Sequence, residues 1–432
     1  MAREMKDSGI EWIGEIPKDW VVKKLLLGLR TPICDGPHET PDYVENGVPF
    51  ISVDSLNESK TVSLENVKRY ISEEQYNTYS IKAKLNEGDI LFSKSATIGK
   101  TAIVNNEKFM VWSPLAIIKP NNHLYNVFLY YMLNCNELIK SIQLSGSYNT
   151  QANVGMREIE QSRIPFPSIV EQHRIASFLD SKCAEIDKAV ETTKASIEEY
   201  KKLRQAIITE AVTKGLDPNV EMKDSGIEWI GEIPADWNVA IFSKLGKQIK
   251  DSNKGLVENN LLSLSYGRIV KKNIDTTFGL LPESFETYNI IEQNDIVLRL
   301  TDLQNDHKSL RVGLSSERGI ITSAYIAVRL NDTILPKYMY YQLHSFDVCK
   351  GFYGMGAGVR QGLNWEEVKR LQIIVPSEEE QKEIVNFLEK RCSEIDSLIK
   401  SKEKLIEELT AYRKSLIYEY VTGKKEVPVE PA

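Results

Sequence analysis

The chain reads as an α+β protein with two small α/β modules, separated by two long helices that form an antiparallel coiled coil around a pseudo-twofold internal repeat. Three observations predict this. Residues 4–20 (EMKDSGIEWIGEIPKDW) recur at 221–237, with 16 of 17 positions identical and Lys18 against Ala235 as the single change. Residues 171–213 align without gaps to 380–422, with 17 identities in 43. Between these shared segments lie two diverged stretches of short apolar runs broken by turn residues, the pattern of small strands. Self-similarity at a fixed period marks a duplicated architecture. The chain therefore runs as repeat, module, helix, written twice. The boundaries read as 1–165 for the first module with its repeat 4–20, and 166–217 for the first helical spacer. The second module takes 218–378 with its repeat 221–237, and 379–432 holds the second spacer and a C-terminal tail.

In the first module, residues 49–53 (PFISV), 89–93 (DILFS), 101–104 (TAIV) and 115–119 (LAIIK) are strand-like. Their expected counterparts are 261–265, 295–299, 319–322 and 325–329. An aromatic, helix-like stretch follows in each, at 125–133 and 337–343. These elements predict a curved sheet backed by helix.

The spacers carry apolar side chains on alternating three- and four-residue steps. In the first these are Leu179, Cys183, Ile186, Val190, Thr193, Ile197, Tyr200, Ile207 and Ala211. In the second they are Leu388, Cys392, Ile395, Ile399, Ile406, Leu409, Leu416 and Tyr420. A 3.5-residue period held over several heptads is a coiled-coil seam. Each spacer would extend about 65 Å at roughly 1.5 Å per residue, with Gly215 and Gly423 as stops. A single stripe needs a cover. The simplest is the chain's own duplicate helix; the other is a second molecule.

Hydrophobic residues make up 42% and charged residues 27% of the 432 positions, ordinary for a globular protein with a sizeable core. The net charge of −7 does not suggest nucleic acid. Residues 18–165 hold 16 basic and 16 acidic side chains, and 235–378 hold 17 and 16, so the acidic excess lies in the repeats and helices. Near-neutral modules would bind phosphate weakly, and a basic partner is expected to help hold DNA. The N-terminus shows no apolar signal-peptide core, and no apolar run approaches the roughly 20 residues of a membrane span. Five scattered cysteines, Cys34, Cys135, Cys183, Cys349 and Cys392, fit reduced thiols in a cytoplasm.

Catalytic chemistry finds no foothold. There is no phosphate loop, and the glycines at 354, 356 and 358 are wrongly spaced for a dinucleotide. Asp54, Glu58 and Lys60 superficially match a nuclease carboxylate–lysine set, but they crowd together as a surface cluster would. No paired His/Cys spacing suggests a metal. The sequon at Asn57 would go unused in a cytoplasm. No catalytic residue and no metal ligand is assigned.

The duplicated SGIEWIGEIPxDW, the GDILFSKSATIGK of 88–100, and the stretches ending EQHRI at 171–175 and spanning IIVPSEEEQKEI at 373–384 resemble the specificity (S) subunits of type I restriction–modification systems. The resemblance spans nearly the whole chain, with its order and duplication. It implies two target recognition domains, each reading one half of an asymmetric bipartite site on double-stranded DNA. The helices would set the gap and dock two modification (M) subunits. S-adenosylmethionine would sit in those partners, and ATP and Mg would serve the restriction (R) subunits; this chain would hold none of them and catalyse nothing. A pairing of duplicated helices in antiparallel fashion would put the two readers about one DNA turn, roughly 34 Å, apart. The rival reading is a tandem binding or scaffold protein on a coiled coil with no DNA role.

Base readout needs paired hydrogen-bonding side chains, and phosphate contact needs cations and hydroxyls. The first module offers Ser93, Lys94, Ser95, Thr97 and Lys100 after a strand, then His38 and Thr40, and Tyr148, Asn149 and Gln151. The second offers Arg299, Thr301 and Lys308, the cluster Arg268, Lys271 and Lys272, and the pair Arg360 and Gln361. Any of these segments also reads as an ordinary polar loop. Trp12, Trp20, Trp229 and Trp237 invite base stacking, but they lie in near-identical repeats and cannot distinguish two half-sites. Anchoring is the better reading for them.

Overall fold

The computed structural model describes residues 3–57, 59–145, 153–274, 284–355 and 362–428. It divides into two compact units, residues 1–194 with 404–432 and residues 195–403. Each unit contains one module together with parts of both long helices, Ile169–Lys214 and Glu378–Val421. Tyr148, Asn149, Gln151, Arg360 and Gln361 lie outside the described residues, as does Glu58.

The first unit is built on a four-stranded antiparallel sheet in the order Cys34–Asp35, Leu115–Ile118, Ile90–Ser93, Thr101–Ile103. Side chains alternate across a strand, and here both faces are covered. Ile90, Phe92, Ala116 and Ile118 join the core beneath the helices. Leu91, Leu115 and Ile117 face a second core, under the three-stranded sheet Tyr70–Ile71, Val48–Ile51, Met110–Val111. The helix-side core receives Asn126–Leu133, almost wholly buried, together with Leu179, Cys183 and Ile186 of one long helix and Leu416, Ile417 and Tyr420 of the other.

The second unit repeats that sheet order with Gly246–Gln248, Ile326–Leu330, Ile296–Leu298 and Val312–Leu314. Ile296, Leu298 and Val328 meet Pro336–Val348 and the long-helix residues Ile208, Val212, Ile384 and Leu388. Val297 and Ala327 face the outer core. This topology corrects one expected correspondence. The counterpart of Thr101–Ile103 is Val312–Leu314, not residues 319–322, because the loop before it is longer in the second module. Gly319–Ile321 instead pairs with Asn289–Ile291 in the outer layer.

Within each unit the two long helices run antiparallel, and each unit carries the same cross-helix ion pair. Arg413 meets Asp187 at 3.0 Å in the first, and Arg204 meets Asp396 at 3.2 Å in the second. Both positions are related by the 209-residue shift of the duplication. Of the seam residues, Leu179, Ile186, Ile197, Leu388 and Ile395 are buried, while Val190, Ile399 and Ile406 are half-buried. The expected seam drifts at one place: Ile208 is fully buried and Ile207 only partly. A straight helix gains on a 3.5 period by about 20° per heptad, which brings the next residue inward. The chain leaves the helices at Gly215 and Gly423, at φ of 78° and 73°, the left-handed conformation glycine adopts without a Cβ penalty.

Candidate nucleic-acid interface

The two repeats fold alike, as hairpins of Met5–Asp7 with Glu15–Pro17 and Met222–Asp224 with Glu232–Pro234 in the same register. Trp20 and Trp237, each 1% exposed, close them against the long helices. The indole of Trp20 donates to Glu171 at 2.8 Å, and that of Trp237 to Glu380 at 3.0 Å. A side chain buried by its own module has no face left for a base. These tryptophans anchor.

A second clamp is also duplicated. Gln172 and Gln381, both buried, each accept one backbone amide, from Tyr125 and Leu335 respectively. Each amide nitrogen then donates to two carbonyls, of His123 and Pro167 or of Thr333 and Pro376. The shared Gly-Asp-Ile and Asn-Asp-Ile turns are likewise structural. Asp89 is buried beside Arg30 and Lys119, and Asp295 is held by Arg329 through contacts of 3.0 and 2.8 Å.

With the framework accounted for, the diverged loops remain. In the first unit three segments converge at one end of the sheet. The Lys94 amide donates to the Pro114 carbonyl, the Val154 amide to the Lys94 carbonyl, and the Ser113 amide to the Pro37 carbonyl. This brings the 35–40 loop, the 94–100 turn and Asn153 together. Of the residues singled out there, Thr97, His38 and Thr40 are exposed and Ser95 is half-buried. Ser93 is fully buried, its hydroxyl donating to the Thr97 carbonyl and accepting the Lys100 amide at 2.8 Å. Lys94 is paired with Asp35 at 3.1 Å and its side chain is 12% exposed. Lys100 reaches the carbonyls of Val53 and Leu56. Ser93, as a buried polar group, finds its partners inside the turn, while Lys94 and Lys100, both half-buried, tie the turn to Asp35 and to the 53–56 segment.

In the second unit the corresponding loop, 299–311, is longer. Thr301 and Lys308 are exposed and Arg299 half-buried. Gln304, Asn305 and His307, within the same Arg299 to Lys308 stretch, are exposed alongside them. The Leu363 amide donates to the Leu300 carbonyl, so the chain returns beside this loop as Val154 returns beside Lys94. Arg268 and Lys272 are exposed, and Lys271 is tied to Glu317 at 2.8 Å. Gly267 sits close to Leu310, which places the Leu262–Ser265/Arg268–Lys271 hairpin turn against the same loop. Tyr266, at φ 47° and 73% exposed, tops that turn. A tyrosine directly before a glycine between two short strands was the available signal. The first unit thus gathers His38, Thr40, Thr97 and Asn153 exposed at one end of its sheet, and the second gathers exposed amides, a hydroxyl and cations, on loops that differ in sequence.

The two described members of the nuclease-like set take separate partners. Asp54 pairs with Arg69 at 3.0 Å, and Lys60 reaches Asp180 at 2.8 Å, where Tyr131 also donates. Among the described residues, no cluster of three or more His, Cys, Asp or Glu is placed to hold a metal, and no helix is long and apolar enough to cross a membrane.

The type I restriction modification DNA specificity domain matches residues 33–199 and 283–411, more than half of the chain. The chain belongs to this family. Among relatives of this specificity family, a putative type I restriction enzyme MjaX specificity subunit of Methanocaldococcus jannaschii is 25% identical over 427 residues, covering 95% of each chain. The EcoBI specificity subunit of Escherichia coli is 22% identical over 421 residues, covering 88% of this chain and 84% of that one. A chain from structural work on complex assembly and conformational transition of the type I R-M system shares the fold, with a TM-score of 0.69, 13% identity, and coverage of 95% and 99%. The HsdS subunit from Thermoanaerobacter tengcongensis shares it at 0.51, also 13% identical, covering 95% and 98%. The specificity-family chain described here is accordingly a DNA sequence-specificity subunit of a type I system.

Proposed function

We propose that each module reads one half of an asymmetric, split DNA site through its diverged loops, while the duplicated framework docks the same kind of partner twice. The observation that carries this is the contrast between the two copies. Their anchors make matching contacts, at Trp20 and Trp237, Gln172 and Gln381, and Asp89 and Asp295, whereas the exposed loops differ in length and composition. A framework kept constant suits a partner present in two copies; loops that differ suit two unlike half-sites. We place the recognition domains at 1–165 and 218–378, with helical spacers at 166–217 and 379–432.

In this reading the chain is not a catalyst. Two modification subunits supply S-adenosylmethionine and the adenine-methylating residues, and restriction subunits supply ATP- and Mg-dependent chemistry, all in the cytoplasm. A net charge of −7 suits such sharing, because the partners would then provide most of the phosphate contact.

Long-read mapping of methylated adenines in cells carrying this chain with its modification partner tests the proposal. One split, asymmetric motif with a fixed gap is expected. A palindromic or unsplit motif, or methylation without sequence preference, would overturn it.

A further inference from the structure

The second module's 299–311 loop is built around one residue. Arg311 is fully buried, with no exposed surface, yet it carries a charge. Burying a guanidinium is costly unless its five N–H groups all find acceptors. Here they do, and the acceptors belong almost entirely to the loop. One terminal nitrogen donates to the carbonyls of Thr301 at 2.7 Å and Arg299 at 3.4 Å. The other donates to the carbonyls of Asp302 at 3.4 Å and Asp306. Nε points at the Tyr353 hydroxyl at 3.4 Å, and the guanidinium lies over that ring at 5.6 Å.

The surroundings reinforce the same loop. Tyr353 donates to the Asp306 carbonyl at 2.9 Å and stacks on His307. Lys350 donates to the His307 carbonyl at 2.6 Å. The Arg311 amide itself donates to the buried Asp347 carboxylate at 2.5 Å. Exposed outside this scaffold are Thr301, Gln304, Asn305, His307 and Lys308.

The first module solves the same problem differently. Its shorter 94–99 turn is closed by the Ser93 hydroxyl, and Lys100, at the position matching Arg311 before the next strand, reaches other carbonyls. A longer loop has more backbone groups to satisfy and more conformations to exclude, and Arg311 supplies both.

We infer that Arg311 is the positioning residue of the second module's reading: it touches no DNA, and it fixes the loop geometry on which that half-site's selectivity depends. This rests on the reading of 299–311 as a DNA-facing loop. Lysine keeps the charge but presents three donors on a flexible stem in place of the planar fork. Arg311→Lys should therefore loosen selectivity and leave the fold in place.

The test uses the full chain with its modification partner and long-read methylation mapping. Gln304→Ala with Asn305→Ala comes first, and the half-site it alters defines the second half. In Arg311→Lys, methylation at sites carrying one wrong base in that half should rise at least about tenfold relative to wild type, the scale of a single lost base discrimination. The other half should stay unchanged. Tyr353→Phe, which removes one hydroxyl, should shift the same half by a smaller factor and carries the test if the lysine variant is poorly folded. If Gln304→Ala with Asn305→Ala alters the motif while Arg311→Lys and Tyr353→Phe leave it at wild type, the inference fails and the reading of the loop stands. If none of the variants moves the motif, the loop does not read DNA and both fall. Loss of all methylation in Arg311→Lys, with Tyr353→Phe at wild type, also overturns the inference, because it marks a role in folding alone.

Discussion

The indole N–H of Trp20 donates to the carboxylate of Glu171 at 2.8 Å, tying the first residues of the chain to the start of a long helix. The same bond joins Trp237 to Glu380. Arg3 also pairs with Glu171, whereas Ser377 bonds Glu380 in the second copy. Removing the indole donor leaves a partly buried carboxylate one bond short, and hydrogen bonds to charged groups contribute roughly 1.5–3 kcal/mol. Trp20→Phe and Trp237→Phe should each destabilise their own unit by about that amount, read by thermal melting. The methylated motif should stay the same. A changed motif with unchanged melting would return the tryptophans to base contact.

The glutamine clamp predicts a larger loss. Gln381→Leu keeps the volume but strips the partner from the Leu335 amide and from the Thr333 and Pro376 carbonyls. Each buried polar group left unsatisfied costs about 1–3 kcal/mol, so a total of at least about 3 kcal/mol is expected. Hydrogen exchange at Leu335 should accelerate well beyond that of the sheet core. Gln172→Leu should do the same at Tyr125.

Much of this frame was legible in the sequence because duplication exposes it. Two copies of one helix pattern, two of one hairpin and paired tryptophans can be matched without coordinates. The loops could not be read that way. Ser93 and Lys100 sit in a polar run after a strand, which looks outward-facing, yet the Ser93 hydroxyl serves the turn's own backbone and Lys100 reaches the Val53 and Leu56 carbonyls of another segment. Arg311 reads as one more surface cation, and only the convergence of loop carbonyls reveals its burial. The strand at 319–321 was legible as a strand, but its match to Thr101–Ile103 was not, because the longer 299–311 loop shifts the spacing of the second module.

Helix Pro336–Val348 sets two titrating groups against each other. Burial, helped by the nearby positive charge of Arg204, lowers the His344 pKa from 6.5 to about 4. Burial raises the Asp347 pKa from 3.8 to about 6, against the Arg311 amide that favours its charged form. His344 binds a proton more readily when unfolded, so its contribution is present above pH 6.5 and is lost as pH falls toward 4, by up to about 3 kcal/mol. Asp347 works the other way: its contribution is full below 3.8 and is lost as pH rises through 6. Acidifying from pH 7 to 5 should therefore change wild-type stability little through this helix. His344→Gln should make the same acidification stabilising, and Asp347→Asn should make it more destabilising than in wild type. Thermal midpoints across that range decide; parallel profiles for all three chains would refute the assignment.

The long helix Ile169–Lys214 is continuous, and residues on either side of position 194 belong to different units. Any residues added within it lengthen the covalent path between the two recognition domains. Four residues inserted after Val190 add about 6 Å of helix and slightly more than one turn, so the apolar stripe returns close to its original face. A strand of DNA advances about 3.4 Å per base, and the added length corresponds to one or two base pairs. If this helix is the ruler of the split site, the insertion should lengthen the unspecified gap by one or two bases and leave both half-sites as they were. An unchanged gap with full methylation would mean that the modification partners, and not this helix, set the spacing. A three-residue insertion rotates the stripe by about 60° short of a full turn, and should lower both methylation and stability before it changes the gap.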